Sequence, residues 1–428
     1  MSFRLLAVTG LLLSTAAVAA PPPLDVIASD YVKLSLEAGE REPEYVDAYY
    51  GSADWATAAK ANPRSLAQLL ADARTLKAAT AAVDPKTLKP MDVRRRTFLL
   101  AMLTAAETRL AMANGRHFDF AEEARGLFGV APDLKPLASY DPVLADIDTI
   151  VPGDGPLWQR VNAYRESLAI PTDRLKPVMA AAINECRART LAHIKLPADE
   201  HFTLEFVTKK PWGGYNYYKG NAVSVIQVNT DLPVLITRAV DLGCHEGYPG
   251  HHLFNMLLEQ KLSRGRGWQE FTVLPLYSPM GFIAEGTANY GIELAFPGNE
   301  REAFEETVLF PLAGLDPAQA KRSAALAKAM QKLAGARFTI ARDYLDGHLT
   351  REQAIAASQK YELLSRPRAE KSVGFFDHYR SYVINYGLGR DMAAATVEAA
   401  GNSPAARWQA FETLLSEPTV AGDLRPPR

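Results

Sequence analysis

The segment Cys244-His245-Glu246-Gly247-Tyr248-Pro249-Gly250-His251-His252 gathers three of the chain's eight histidines and one carboxylate into a short stretch. Neutral imidazoles are zinc ligands, and a glutamate beside the first of them can handle the proton of a metal-activated water. The usual zinc-hydrolase spacing places the second histidine four residues after the first. Pro249 holds that position here, so the standard His-Glu-x-x-His pattern is absent. On an ideal helix His245 and His251 would be rotated roughly 120° apart, and His252 would lie about 10 Å further along the axis than His245. Neither arrangement lets two rings share one ion. Gly247, Pro249 and Gly250 argue against a straight helix, because proline removes an amide donor and clashes with the preceding turn while glycine permits unusual dihedrals. A helix that ends near Tyr248, bulges through Pro-Gly and restarts at His251 would bring His245 and His251 together. The spacing alone does not choose between His251 and His252 as the second ligand. The competing reading is a loop with incidental histidines.

A second segment, Phe282-Ile283-Ala284-Glu285-Gly286-Thr287-Ala288-Asn289-Tyr290-Gly291, reads as an apolar helix of small residues carrying one acid. A carboxylate among Ile, Ala and Gly is costly to bury without a cation. It is also the expected third ligand where two histidines leave a fourth position open. Taken alone, Glu285 could equally sit at a solvated helix end.

His-Glu-x-x-Pro-Gly-His-His followed by Ala-Glu-Gly-x-Ala-x-Tyr resembles the bacterial domain-of-unknown-function 885 family, whose members look like helical zinc peptidases. The pattern is also similar to dipeptidyl peptidase III, whose His-Glu motif carries a one-residue insertion before its second histidine; this chain carries two. Asp47-Ala48-Tyr49-Tyr50-Gly51 and Tyr386-Gly387-Leu388-Gly389 extend the likeness, while Thr287 stands where the family commonly has a bulky aromatic. The resemblance implies His245, His251 and Glu285 as zinc ligands and Glu246 as the general base. In helical zinc peptidases a late tyrosine or histidine donates to the oxyanion, and Tyr386 is the first choice for that part. Arg380 could clasp a substrate carboxylate bidentately.

The elements that must hold these groups are mostly helical. Ala, Leu, Arg and Glu recur at helical spacing from Asp25 to about Leu196, and Val93 to Ala113 is the clearest helix, with Arg94-Arg95-Arg96 read as a solvated face. Loops are expected near Pro132 to Pro136 and Val151 to Pro156. Residues 202–229 change character: Phe202 to Val207 and Ala222 to Asn229 alternate with a period of two, and Tyr215-Asn216-Tyr217-Tyr218 lies between them. They predict a small antiparallel sheet just before the motif helix. If the edge of the Val223–Asn229 run is open, an extended peptide can add to it as a strand. Gln227 and Asn229 on that run, Tyr290 on the Glu285 segment and His252 are the further candidate substrate contacts. The bland reading makes the sheet a cap on the helical body. Asp231 can cap the helix that follows.

The whole chain sets bounds. Its 428 residues, 48% of them hydrophobic, suffice for a sizeable core, and a net charge of −2 implies neither a nucleic-acid partner nor an anionic membrane surface. Arg4, the apolar run Leu5 to Leu13 and Ala17-Val18-Ala19 read as an export signal over residues 1–19, with no cysteine for a lipid anchor and no later span long enough for stable membrane insertion. A periplasmic location follows. Cys186 and Cys244, the only cysteines, are read as two buried thiols rather than a bridge.

The expectation is a mainly α protein: a large helical body with a central cleft and a small antiparallel sheet near residues 202–229. Residues 20–428 form one domain, with a helical part to residue 200 and a metal-site part beyond it. Its expected activity is hydrolysis of a peptide or small amide by an exported Zn²⁺ enzyme. A zinc amidase or esterase on non-peptide substrates, and a non-catalytic periplasmic binding protein with a degenerate motif, are the alternatives.

Overall fold

The computed structural model describes residues 23–210 and 212–427; the expected export signal lies outside them. The protein is mainly α. Helices run from Leu24–Arg41 to Pro404–Ser416 around one continuous apolar core. Their boundaries follow local chemistry. Ser65 and Thr350 close capping boxes with Gln68 and Gln353, so backbone donors at those helix starts have partners. Pro90 opens the helix Pro90–Ala113, where a missing amide hydrogen costs nothing. That helix buries Phe98, Leu99, Met102, Leu103, Ala106 and Leu110, a stripe at three- and four-residue spacing. Arg95, expected on a solvated face, is instead buried. It is one turn before Leu99 on that stripe, pairs with Glu270 at 2.6 Å and also bonds Asp25. The two expected loops are present as irregular chain.

Among the described residues five strands form two sheets: β1 (Val46–Tyr49), β2 (His201–Val207), β3 (Gly214–Tyr218), β4 (Val223–Asn229) and β5 (Val273–Pro275). The three central strands lie where alternation predicts, in the order β2-β4-β3. β3 and β4 form the expected antiparallel pair, Tyr215 opposite Gln227. β2 and β4 run parallel, Glu205 opposite Gln227, because the chain leaves β2, makes the hairpin and returns with β4 in the middle. The open-edge expectation for Val223–Asn229 is therefore corrected: both its edges are taken, and the outer edges of this sheet belong to β2 and β3. β1 pairs antiparallel with β5, an association between segments too distant in sequence for periodicity to indicate. Asp231 does not cap the next helix either. Its carboxylate accepts the Lys209 and Lys210 amides, and the helix begins only at Ile236.

Two helices carry much of the cleft wall: Pro279–Ala295, which holds Glu285, and Ile384–Glu398, which holds Tyr386. They cross with Gly286 against Gly389. A Cβ on Gly389 would stand 3.0 Å from the Gly286 Cα, and one on Gly286 would press into the Gly389 backbone. Contact this close fixes the depth at which Glu285 faces the cleft. Gly286→Ala should therefore destabilise the fold by about 1–3 kcal/mol through overpacking. Gly374→Ala, in the helix Arg366–Tyr379 with open space around the position, should be neutral or mildly stabilising. Urea unfolding of the two variants checks this; equal midpoints would remove the role assigned to the crossing.

Candidate metal centre

The motif helix Ile236–Leu242 widens into a π-type turn at Gly243–Gly247, then breaks. Tyr248 is extended, the Tyr248–Pro249 bond is cis, and a new helix, His251–Leu258, starts after Gly250. The Gly250 amide donates to the Cys244 carbonyl at 3.0 Å, and a Cβ at this position would collide with the His245 carbonyl oxygen. Glycine is thus required for the chain to double back so tightly. The result is the ring approach that straight-helix geometry forbids: His245 Nε2 and His251 Nε2 are 3.1 Å apart. Glu285 completes the group, with Oε2 3.3 Å from His245 Nε2 and Oε1 3.8 Å from His251 Nε2.

These three residues are the group of potential ligands found among the described residues, their donor atoms all within 4.8 Å of one another. Four donors arranged tetrahedrally about 2.0–2.1 Å from one zinc ion lie about 3.3–3.4 Å from each other, which is the scale observed. Apart from the His245 ring 3.3 Å away, the buried Glu285 Oε2 has no hydrogen-bond partner among the described residues, as expected of a carboxylate oxygen aimed at a cation. Two imidazole nitrogens and a carboxylate are also a donor set zinc accepts. The residues fit the ion.

Electrostatics separate the acids. Burial opposes the Glu285 charge, yet the His245 hydrogen bond, the two imidazoles and the Tyr382 hydroxyl overcome it and hold its carboxyl below the usual range. Glu246 is buried beside His245 and is pushed up to about 7 by that burial, with Glu285's charge adding to it. Burial likewise drives His251 down to about 4, favouring the neutral ring a metal needs. Tyr382 donates to Glu285 Oε1 at 2.9 Å. No sequence motif singles out Tyr382; its spacing of four from Tyr386 is the signal that could have found it. Asp47, on β1, faces the same cavity, accepts the Tyr215 hydroxyl and is pushed up to about 6 by burial.

Tyr386 lines the cavity with 39% of its surface exposed, and burial of its hydroxyl together with Glu285's charge keeps the phenol protonated. The other candidate contacts lie elsewhere. His252 is fully buried between Ser224 Oγ at 2.7 Å and Glu200 Oε2 at 3.2 Å, because restarting the helix turns adjacent residues to different faces. Arg380 is committed to Glu123 at 2.6 Å. Tyr290 packs on Phe411 in the core. On the central strand, Gln227 bonds Glu205 at 2.7 Å and Asn229 bonds the Lys210 and Trp212 carbonyls. None of these five lines the cavity. Thr287 does not shape it either, being buried with its hydroxyl on the Ile283 carbonyl. The two thiols expected at Cys186 and Cys244 are a disulfide, Cα atoms 5.4 Å apart, because the helix Thr172–Leu191 packs along the π-type turn.

The cavity has a volume of about 2300 Å³. Trp212, Tyr215 and Tyr217 form an aromatic wall, with Tyr215 and Tyr217 rings 4.2 Å apart. Behind it a buried chain of hydrogen bonds supports Glu246. Asn216 Nδ2 donates to the Glu246 carbonyl at 2.6 Å, Ser224 Oγ donates to Asn216 Oδ1 at 3.1 Å, and Ser224 meets His252 and through it Glu200.

No family model matches the chain, and no curated protein matches it. Among solved structures, it is similar over 82% of its length to 69% of a candidate lipoprotein from Colwellia psychrerythraea, at 14% identity and a TM-score of 0.49. It is also similar to a candidate lipoprotein of unknown function from Shewanella oneidensis, at 13% identity and a TM-score of 0.44, covering 85% of this chain and 76% of that one. An M32 carboxypeptidase from Deinococcus radiodurans R1 is matched at 13% identity and a TM-score of 0.40, over 92% of this chain and 89% of the other. Likenesses at this level assign no activity.

Proposed function

We propose that the protein is an exported zinc-dependent peptidase in which His245, His251 and Glu285 hold the metal and Glu246 is the general base. The convergence of those three side chains beside a buried glutamate carries the reading. Zinc bound there would supply a Lewis acid and lower the pKa of a coordinated water toward 7. Glu246, with a carboxyl poised near neutrality, takes a proton from the attacking water and returns it to the departing amine nitrogen. Tyr386 keeps its hydroxyl proton and donates it in a hydrogen bond to the carbonyl oxygen under attack. Tyr382 fixes the Glu285 carboxylate.

Peptides are favoured over small amides by two observations. Small-molecule sites occupy about 300–1,000 Å³, and this cavity is more than twice as large. β3 also lines it with an unpaired edge. The Lys219–Val223 and Asn229–Gly213 hydrogen bonds fix the ladder phase, so the backbone groups of Gly214 and Asn216 point away from β4, available to an extended chain. Export is supported by the Cys186–Cys244 disulfide, a bond that persists in oxidising compartments, and by the signal-like residues 1–19. No helix among the described residues is long and apolar enough to cross a membrane.

Purified protein should carry about one zinc per chain. His245→Ala, His251→Ala and Glu285→Ala should each lose it, with the helical spectrum retained. His252→Ala should keep zinc and lower the melting temperature, since it strands buried polar partners. Full zinc occupancy in the first three variants, read by elemental analysis, would reject the ligand assignment.

Glu246→Gln preserves shape and removes the base. It should retain zinc and lose peptide turnover by about 10² or more. Near-normal turnover in the zinc-loaded variant would rule out water activation by Glu246. A panel containing peptides, non-peptide amides and esters separates the peptidase reading from the amidase or esterase one.

A further inference from the structure

One end of the cavity is built from two segments that the backbone locks together. The Ile170 amide donates to Val234 at 2.8 Å and the Ile236 amide to Leu168 at 2.9 Å, so the end of the helix Leu157–Glu166 lies against the start of the motif helix. Each segment contributes an arginine to the cavity wall, Arg165 and Arg238. The carboxylates nearby are already used. Arg301 holds Asp241 at 2.8 Å and Glu305 at 2.8 Å. Arg238 is left with a 3.5 Å contact to that same Asp241, and Arg165 has no ion pair or side-chain hydrogen bond among the described residues. Two guanidiniums, one of them half-buried, therefore face the same cavity with little compensation. Arg165 also lies near like charge: burial first, then the charges of Arg368 and Arg238, lower its affinity for a proton.

Two features relate this cluster to the metal centre. Arg238 precedes His245 by seven residues, about 10 Å along a helix axis. The glycine pair that starts β3 also bridges the two places: a Cβ on Gly214 would lie 2.8 Å from Glu246 Oε1, and one on Gly213 would lie 4.0 Å from Arg238 Nη2. The residues that open β3 thus lie against Glu246 at one and Arg238 at the other. Further along β3, Asp47 lies at Tyr215, where a free carboxylate would be repelled. An extended chain with its scissile bond at Glu246 covers about 10 Å with about three residues.

Resting on the peptidase reading above, we propose that Arg238 and Arg165 form a carboxylate subsite that captures the free C-terminus of a peptide, so that the protein removes fragments of about two or three residues from C-terminal ends. Recognition by a planar guanidinium pair suits a carboxylate, which accepts two parallel hydrogen bonds. The same chemistry is offered by an aspartate or glutamate side chain, and the test separates the two.

Binding of three peptides to zinc-loaded Glu246→Gln protein, measured by titration calorimetry, decides the matter: N-acetyl-pentaalanine as the free acid, its C-terminal amide, and the amide with aspartate at the fourth position. The acid should bind at least about tenfold more tightly than the plain amide, the gain of a charge-assisted pair. Adding Arg238→Met or Arg165→Met should abolish that preference while leaving affinity for the amide unchanged. If the aspartyl amide matches the acid, the subsite reads side-chain carboxylates and the C-terminal assignment falls. Equal binding of acid and plain amide, or a preference that survives both substitutions, rejects the subsite alone. Failure of all three to bind rejects the peptidase reading along with it. With active enzyme, mass spectrometry of the products of free-acid peptides should find di- and tripeptides released from the C-terminus; random internal cleavage would overturn the proposal.

Discussion

The constraint on which this site depends is the return of the chain between His245 and His251. Two residues more than a helical turn separate these histidines, and the surplus has to be absorbed without moving the rings apart. The π-type turn, the extended Tyr248 and the hydrogen bond from Gly250 to Cys244 absorb it. The turn is held on both sides. Upstream, Cys244 is tied covalently to the helix Thr172–Leu191. Downstream, the new helix buries Leu253, Phe254, Met256 and Leu257 in the core. Each ring is therefore aimed by backbone that cannot rotate independently, and the Gly286–Gly389 crossing sets Glu285 opposite them. The candidate metal centre is a product of close backbone approaches at Gly250 and at Gly286 more than of its side chains.

A buried polar chain does the equivalent work for Glu246. Glu246 has its carbonyl fixed by Asn216, and Asn216 is held in turn by Ser224, His252 and Glu200. Glu200 ends the chain against Arg187 at 2.9 Å and the Tyr248 hydroxyl; burial works against its charge, but the His252, Tyr248 and Arg187 hydrogen bonds hold it down to about 2. Buried polar groups stabilise only when every member has a partner. The segment links β2's approach, β3, β4 and the motif into one rigid unit. His252 belongs to that support, which explains why two adjacent histidines have unlike environments.

How much could be read in advance depends on range. The group His245, Glu246, Glu285 was legible because its chemistry is written in two short segments, and the breakers Gly247, Pro249 and Gly250 announced the detour. The strands at 201–229 were legible through alternation. What was not legible arose from partners far apart in sequence. Arg380 looks free in a string of aromatics, but folding sets it against Glu123 and gives it φ 51°, a conformation that only strong local contacts sustain. Arg95 looks like part of a solvated run, yet Glu270 is waiting for it in the core. Arg238 carried no motif, and Asp47 stood in a segment that showed a family likeness but no chemistry; they reach the cavity only through the contact between residues 168–170 and 234–236 and through the β1–β5 pairing. Strand order was hidden for the same reason: alternation reports which residues are in strands, not which strand ends up in the middle.

Charge within the cavity gives the strongest physical reason to expect a dication there. Asp47, Glu246 and Glu285 influence one another, and burial penalises all three. Asp47 and Glu246 respond by rising toward neutrality, while Glu285 stays ionised. Glu285 can do so because His245 is drawn toward protonation: burial resists this, but Glu285's hydrogen bond and the charges of Glu246 and Glu285 prevail. A protonated His245 cannot ligate a metal, so proton and ion compete for the same lone pair. A dication between the rings would neutralise Glu285 directly, release His245 as a neutral donor and favour ionised Glu246. One binding event would thereby convert a self-repelling set of acids into a metal ligand and an available base. That coupling makes ligand geometry and base strength two consequences of a single arrangement, and it accounts for burying three carboxylates where ordinary packing would exclude them.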